Sequence, residues 1–364
     1  MTNDCPEMSF PNKIFRGSQS LDQLKSIAEK LGKRAFILGG NRALQAALPL
    51  MNKGLETIDV VQSVNYGGEC SQNNIDVLTG LIEQHEVDFI IAVGGGKALD
   101  TGKLVAQQVG LPIVTIPTIA ATCAAIATVS ILYDNDGQYL DFCMLKNAPD
   151  CVILDPQLIA KAPVKWLSAG LGDTLAKLYE YRVVSNNNPA SSLNMSAFSN
   201  SQLCFDVISR FGPDAYRSVL EGEASFALEQ AMDAIFIYAG FTSIMGVGSH
   251  VAAAHGLYNG FTINDKTRHF GHGLLVGYGN LCLLALEKRN DSEIIEAIQL
   301  AKTCGVPVTL SEIANLSESE LNQIIDAAIE TPDIQDMPFV VTRQDMLLAM
   351  KRVDTLADKE SITE

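Results

Sequence analysis

Two rhythms of apolar and polar positions divide the 364-residue chain. In the first part, short apolar runs alternate with stretches of helical period. Leu21 to Leu31 has the helical pattern, and Arg34-Ala35-Phe36-Ile37-Leu38 reads as a short strand ending in Gly39-Gly40. Ala43 to Met51 predicts a helix, Ile58-Asp59-Val60-Val61 a strand, and Ser71 to His85 another helix. Phe89-Ile90-Ile91-Ala92-Val93 is a strongly apolar, β-branched strand pattern that runs into Gly94-Gly95-Gly96-Lys97. A helix from about Ala98 to Val109 and a strand from Pro112 to Ile116 follow. Alternation of this kind predicts a parallel sheet covered by helices.

Near Asp155-Pro156 the rhythm changes. Helical patterns cover Pro163 to Val184, Ala190 to Phe211, Asp214 to Met245, Gly273 to Leu286 and Ser292 to Cys304, with almost no strand pattern. The expected architecture is an α/β, Rossmann-like parallel-sheet domain over residues 1–160 and an all-helical domain over 161–364. A cleft between two such domains is where a site is expected. No internal repeat is visible.

Composition narrows the function. Apolar residues make up 47% of the chain and charged ones 19%, enough for a large core and too apolar for disorder. A formal net charge of −16 argues against nucleic acid or an anionic membrane as a partner, but leaves a small anionic substrate open. The eight cysteines are scattered without a CxxC pair, so no disulfide framework is expected. Met1 to Glu7 is acidic and lacks an apolar stretch, so no secretory signal is read and the cytoplasm is the expected compartment. Leu104 to Tyr133 carries no charge and would attract a membrane-span reading. Gly110, Pro112, Pro117 and several threonines break it, so it reads as a buried strand followed by a loop that lines a site.

Two features carry chemistry. Gly94-Gly95-Gly96-Lys97 sits between a strand and a helix start, where Cβ-free backbone and free N–H groups suit a phosphate. Gly95, Gly96 and Lys97 are therefore candidate cofactor contacts, with Asp100 placed to cap or offset the helix dipole. Neither GxxxxGK[ST] nor GxGxxG is present. The second feature is histidine: His250, His255, His269 and His272 are four of the chain's five. Imidazole is the commonest transition-metal ligand, so a metal site is expected nearby.

The turn Gly94-Gly95-Gly96-Lys97-Ala98-Leu99-Asp100-Thr101-Gly102-Lys103 resembles the GGGKxLDTAK signature of glycerol dehydrogenases in the iron-containing alcohol dehydrogenase superfamily. Further matches follow in collinear order. They are Pro117 to Thr122, Asn147-Ala148-Pro149-Asp150, Ala169 to Ala176, Ala252-Ala253-Ala254-His255 with Asn259-Gly260, and His272-Gly273. The resemblance covers essentially the whole chain. It implies the dehydroquinate synthase-like fold, a nicotinamide cofactor (NADP or NAD), and one divalent metal held by Asp173, His255 and His272. One carboxylate and two imidazoles suit zinc or iron equally. Gly96 and Lys97 are implied at the cofactor pyrophosphate, and Thr118, Ala121, Ala127, Val129 and Tyr133 along the cofactor. The implied reaction is hydride transfer between a small alcohol and its carbonyl. A homo-oligomer is implied only by analogy.

Three departures shape the expected specificity. Gly40 stands where NAD-specific relatives carry an aspartate, and Arg42 follows, so NADP(H) acceptance is expected. Cys123 stands where glycerol dehydrogenases place an aspartate on the polyol, which shifts the expected substrate toward a 2-oxo or 2-hydroxy acid. Glycerol is the alternative. Leu274-Leu275 replaces a Glu-Lys pair beside His272. His250 is read as structural, and His269 as a substrate contact or a neighbour of the ligands. A cyclase of the dehydroquinate synthase type and a non-catalytic binding protein are competing readings.

Overall fold

The structure is a computed structural model that describes residues 8–185, 191–246 and 250–363. Two compact units divide the chain: Met1–Ala162 with Gly222–Ala224, and Pro163–Glu221 with Ser225–Glu364.

The first unit carries strands β1 (Lys13–Arg16), β2 (Arg34–Gly39), β3 (Asp59–Asn65), β4 (Phe89–Gly94), β5 (Ile113–Pro117), β6 (Val129–Tyr133), β7 (Tyr139–Met144) and β8 (Cys151–Leu154). Six of them form one sheet in the order β1-β8-β5-β4-β2-β3, with every neighbouring pair parallel. The unbroken apolar run of β4 is explained by its place: Phe89 to Val93 are fully buried, as strands covered on both faces must be. After β3 the chain crosses β2 and continues with β4 on the other side, so the order reverses between β2 and β4. In open α/β sheets the crevice beyond such a reversal is where nucleotides bind. Register aligns Gly39 with Val93 and Gly94 with Pro117, so the residues following β2, β4 and β5 emerge at one edge.

Two pieces of this unit escape the hydrophobic pattern. Strand β1 has four residues with exposed ends, too short to show a period. The antiparallel β6–β7 hairpin exposes Tyr139, Leu140, Phe142 and Met144, so β7 has no buried face to mark it as a strand.

The second unit has no strand among its described residues. Its longest helix, Ser192–Leu220, runs straight through Gly212-Pro213, where the sequence suggests a break. Pro213 forfeits one backbone hydrogen bond, but tight packing holds the segment: a Cβ on Gly212 would stand 3.0 Å from the Cys304 sulfur. The chain turns instead at Gly222, whose φ of +73° is left-handed. Helices Phe226–Met232 and Ala239–Met245 are joined by a π-helical turn, Asp233–Tyr238. Helices Lys165–Val184, Ala253–Phe261, His272–Leu286, Asp291–Thr303, Leu310–Ile313, Glu318–Ile329, Pro332–Gln335 and Arg343–Thr363 make up the rest of its described helices. Among the described residues, no helix is long and apolar enough to cross a membrane.

Candidate metal centre and nucleotide turn

In the second unit, backbone contact between helices sets the site. Helix Lys165–Val184 crosses helix His272–Leu286 so closely that a Cβ on Gly273 would collide with the Ala169 carbonyl. A Cβ on Gly172 would sit 3.1 Å from the Gly277 Cα. Asp173 follows Gly172, and His272 precedes Gly273, so this crossing brings carboxylate and imidazole together. Gly271, with φ +131°, turns the chain into the helix that His272 opens. A third close approach, Gly279 against the Ala254 carbonyl at 2.7 Å from its would-be Cβ, docks helix Ala253–Phe261 and with it His255.

The ligand atoms of Asp173, His255 and His272 lie within 4.8 Å of one another. Asp173 Oδ1 stands 3.6 Å from His255 Nε2 and 3.3 Å from His272 Nε2. Ligands about 2.1 Å from a tetrahedral ion stand roughly 3.4 Å apart, so these separations match a shared cation better than a hydrogen bond. Asp173 Oδ1 is in fact a buried oxygen with no hydrogen-bond partner. Burial opposes ionisation of Asp173, but the two imidazoles and Lys177 outweigh it and hold the carboxyl well below the usual range. A buried carboxylate oxygen without a donor, faced by two imidazole nitrogens, is a donor set that a divalent cation completes.

The surroundings hold the imidazoles in place. Tyr258 packs edge-on against His272, with centroids 4.3 Å apart and planes at 83°. Burial and the Asp173 charge push the Tyr258 hydroxyl up to about 12, so it stays protonated at neutral pH. Glu180, on the Asp173 helix, sets its Oε2 2.5 Å from His255 Nδ1. Burial would lower the His255 pKa, but the Glu180 and Asp173 carboxylates outweigh it and push it up to about 10 in the metal-free protein. Sequence reading missed Glu180 and Tyr258. The spacing of Glu180 was the available signal, because seven residues after Asp173 is the same helix face two turns on. His269 is exposed and contributes no atom to the cluster, and His250 also lies outside it.

In the first unit, the glycine turn leads from β4 into helix Gly96–Val109, whose N-cap, Gly95, supplies no side-chain cap. A Cβ on Gly95 would lie 2.6 Å from Ile119 Cδ1, so a side chain there would displace Ile119 from the turn. The uncapped N–H groups fit an anion such as a cofactor pyrophosphate. Lys97 sits beside the turn, pairs with Glu69, and stands 4.4 Å from the Tyr133 ring centroid. Thr118 donates its backbone N–H to the Gly94 carbonyl, holding the loop after β5 against the turn. Ala121 and Cys123 are partly buried, with Cys123 opening a short 3-10 turn, and Ala127 is buried. Val129 and Tyr133 begin and end β6. Gly40 is the N-cap of helix Asn41–Leu55, and Arg42 is exposed in its first turn.

Asp100 corrects the expectation of a helix cap. It is buried and pairs with Lys103 at 2.9 Å while accepting the Ile131 N–H at 3.1 Å. Lys103 donates to the carbonyls of Ala124, Ala127 and Val129 at 2.9, 3.1 and 2.7 Å. The pair staples the loop leading into β6 to the helix rather than serving the dipole.

A model of the family described as iron-containing alcohol dehydrogenase matches residues 11–156. A glycerol dehydrogenase from Thermotoga maritima is 32% identical over 352 residues, covering 95% of this chain and 96% of the relative. The chain belongs to the iron-containing alcohol dehydrogenase family. Another relative, hydroxycarboxylate dehydrogenase A of Escherichia coli strain K12, is 31% identical, covering 88% of this chain and 90% of the relative. A solved structure, a probable glycerol dehydrogenase from Sinorhizobium meliloti 1021, superposes with a TM-score of 0.85 at 28% identity, over 98% of this chain and 99% of that one. This member of the family is thus an oxidoreductase with the fold class expected from its sequence. Membership implies NAD(H) and a divalent metal, and the Asp173 cluster fits the metal.

Proposed function

We propose that this chain is a metal-dependent dehydrogenase interconverting a small polyol and its ketone, with glycerol and dihydroxyacetone as the reference pair. The observation that carries the proposal is the orphaned Asp173 Oδ1 facing two imidazole nitrogens. Asp173, His255 and His272 would hold the cation, zinc or iron. A divalent cation there supplies Lewis acidity toward an alcohol or carbonyl oxygen, and a nicotinamide supplies or accepts the hydride.

The chain's own residues bind and orient. The uncapped turn at Gly95 and Gly96, with Lys97 beside it, takes the cofactor pyrophosphate. Lys97 must then exchange its Glu69 partner for phosphate oxygens. Thr118, Ala121, Ala127, Val129 and Tyr133 flank the cofactor, and the Asp100–Lys103 staple fixes the part of that segment that carries Ala127 and Val129. Tyr258, held protonated, packs His272 in its orientation without competing for its Nε2.

Cofactor choice rests on Gly40 and Arg42. With no carboxylate after β2 to repel a 2′-phosphate, and the exposed Arg42 guanidinium in the helix's first turn, NADP(H) is accepted alongside NAD(H).

The substrate expected from sequence, a 2-oxo or 2-hydroxy acid, has less support than the polyol. The T. maritima glycerol dehydrogenase matches more of the chain than the hydroxycarboxylate relative does. Cys123 still favours the acid as a second reading, because a thiol adds no negative charge beside an anionic substrate. The experiment is direct: measure bound metal, then follow oxidation and reduction of both nicotinamides with glycerol, dihydroxyacetone and a panel of 2-oxo acids. Glycerol-dependent turnover that chelator abolishes supports the proposal. Turnover of 2-oxo acids alone transfers the assignment to the second reading, and turnover of none refutes both.

A further inference from the structure

We propose that Glu180 is a positioning residue that sets which nitrogen of His255 faces the metal, while also serving as the N-terminal cap of the helix that carries it. The inference rests on Asp173, His255 and His272 being the metal ligands.

Helix Ala253–Phe261 begins without a side-chain cap of its own, since Ala252 has none to offer. Glu180 reaches in from helix Lys165–Val184 instead. Its Oε1 accepts the N–H of Ala252 at 2.8 Å and the N–H of His255 at 2.9 Å. These are the N-cap and third-residue donors that a capping box satisfies within one helix. Here a residue 72 positions away supplies the oxygen. A carboxylate at that end also complements the helix dipole.

The second oxygen, Oε2, lies 2.5 Å from His255 Nδ1. A carboxylate whose other oxygen is saturated by N–H donors accepts there, so the ring proton resides on Nδ1. With a metal bound, the nitrogen left free to coordinate is then Nε2, the atom turned toward Asp173 Oδ1 at 3.6 Å. Glu180 is 1% exposed, so water cannot substitute for it in either role. Carboxylates hydrogen-bonded to ligating histidines raise ligand basicity and fix ring orientation. The cap ties the backbone of His255 to the same carboxylate as its ring, so the two cannot move independently.

Glu180→Gln separates the two roles. With its carbonyl oxygen left on the Ala252 and His255 N–H groups, the amide NH₂ donates to Nδ1. The ring proton then moves to Nε2 and blocks the ligand position. The test compares wild-type and Glu180→Gln protein, stripped and reloaded with zinc. Chelator competition gives affinity, denaturation gives stability, and histidine ¹⁵N NMR gives the protonated nitrogen. The expected result is zinc affinity weakened by about 10–100-fold with secondary structure retained. In the wild-type zinc form, His255 shows a protonated Nδ1 and a coordinated Nε2. Unchanged zinc affinity in the variant overturns the proposal, as does coordination through Nδ1 in the wild type. The NMR readout stands even if the variant fails to fold. If wild-type protein binds no zinc or iron, the proposal falls together with the metal reading. Zinc binding as expected without alcohol turnover leaves Glu180 in place and refutes only the proposed reaction.

Discussion

Replacing Lys103 with methionine is the sharpest test of how the first unit is held together. Its side chain is 1% exposed, and its ammonium pairs with Asp100 while donating to three loop carbonyls. Methionine keeps the length of the stem and removes the charge. Asp100 would then lie buried with the Ile131 N–H as its remaining backbone donor. Removing one partner of a buried pair costs about 3–5 kcal/mol. Stranded carbonyls add to this, though such contributions overlap rather than sum. We take about 4 kcal/mol, a large part of the roughly 5–15 kcal/mol that holds a domain folded. Adding Asp100→Asn removes the uncompensated charge and should recover about 1–3 kcal/mol, because neighbouring sites couple on that scale. In urea denaturation, the fluorescence of the single tryptophan, Trp166, reports on the second unit. Lys103→Met should shift the transition seen by far-ultraviolet circular dichroism and leave the Trp166 fluorescence transition in place. Cofactor affinity should fall with metal content unchanged, since the loosened segment runs from Ala124 to Ile131. A stability loss below about 0.5 kcal/mol, the range of ordinary surface substitutions, would refute the staple.

Other expectations follow from the same contacts. Gly273→Ala drives a Cβ into the Ala169 carbonyl; overpacking costs about 1–3 kcal/mol, and the separated helices should lose metal affinity at the same time, so a variant with wild-type zinc affinity refutes the crossing as the origin of the site. Burial raises Asp333 to about 6; a carboxyl raised in the folded state stabilises most when protonated, so its contribution is complete below about pH 4 and is lost as pH climbs through about 6. Asp333→Asn, which keeps an oxygen for the Asn259 amide, should therefore gain about 1–2 kcal/mol at pH 7.5 after discounting for partial exposure and little at pH 4, and equal effects at the two pH values would contradict the shift. Gly40→Asp should weaken NADPH binding by about tenfold or more and favour NADH in fluorescence titrations, and an unchanged ratio of affinities refutes the proposed 2′-phosphate position.

The parallel sheet was legible because its strands are buried on both faces. Phe89 to Val93 needs no alternation to declare itself, and the glycine turn after it marks the strand end. The β6–β7 hairpin was not legible, because a strand whose apolar side chains face outward offers no pattern to find. Pro213 misled for a related reason: local propensity marks it as a break, and packing around Gly212 overrides it. The same limit applies to the site. Asp173, His255 and His272 came from resemblance, and no spacing rule would have paired an aspartate with histidines some eighty to a hundred residues further on. What joins them is a property of glycines. Gly172, Gly273 and Gly279 let three helices approach at backbone distance, and their meaning appears only once the helices are paired. Asp100 and Lys103 show the converse. Both belong to the signature that suggests the cofactor, yet their side chains turn away from the phosphate turn to hold the loop leading into β6. A motif residue can thus serve a ligand through the segment it secures, which is why Lys103→Met is expected to act on cofactor affinity through stability.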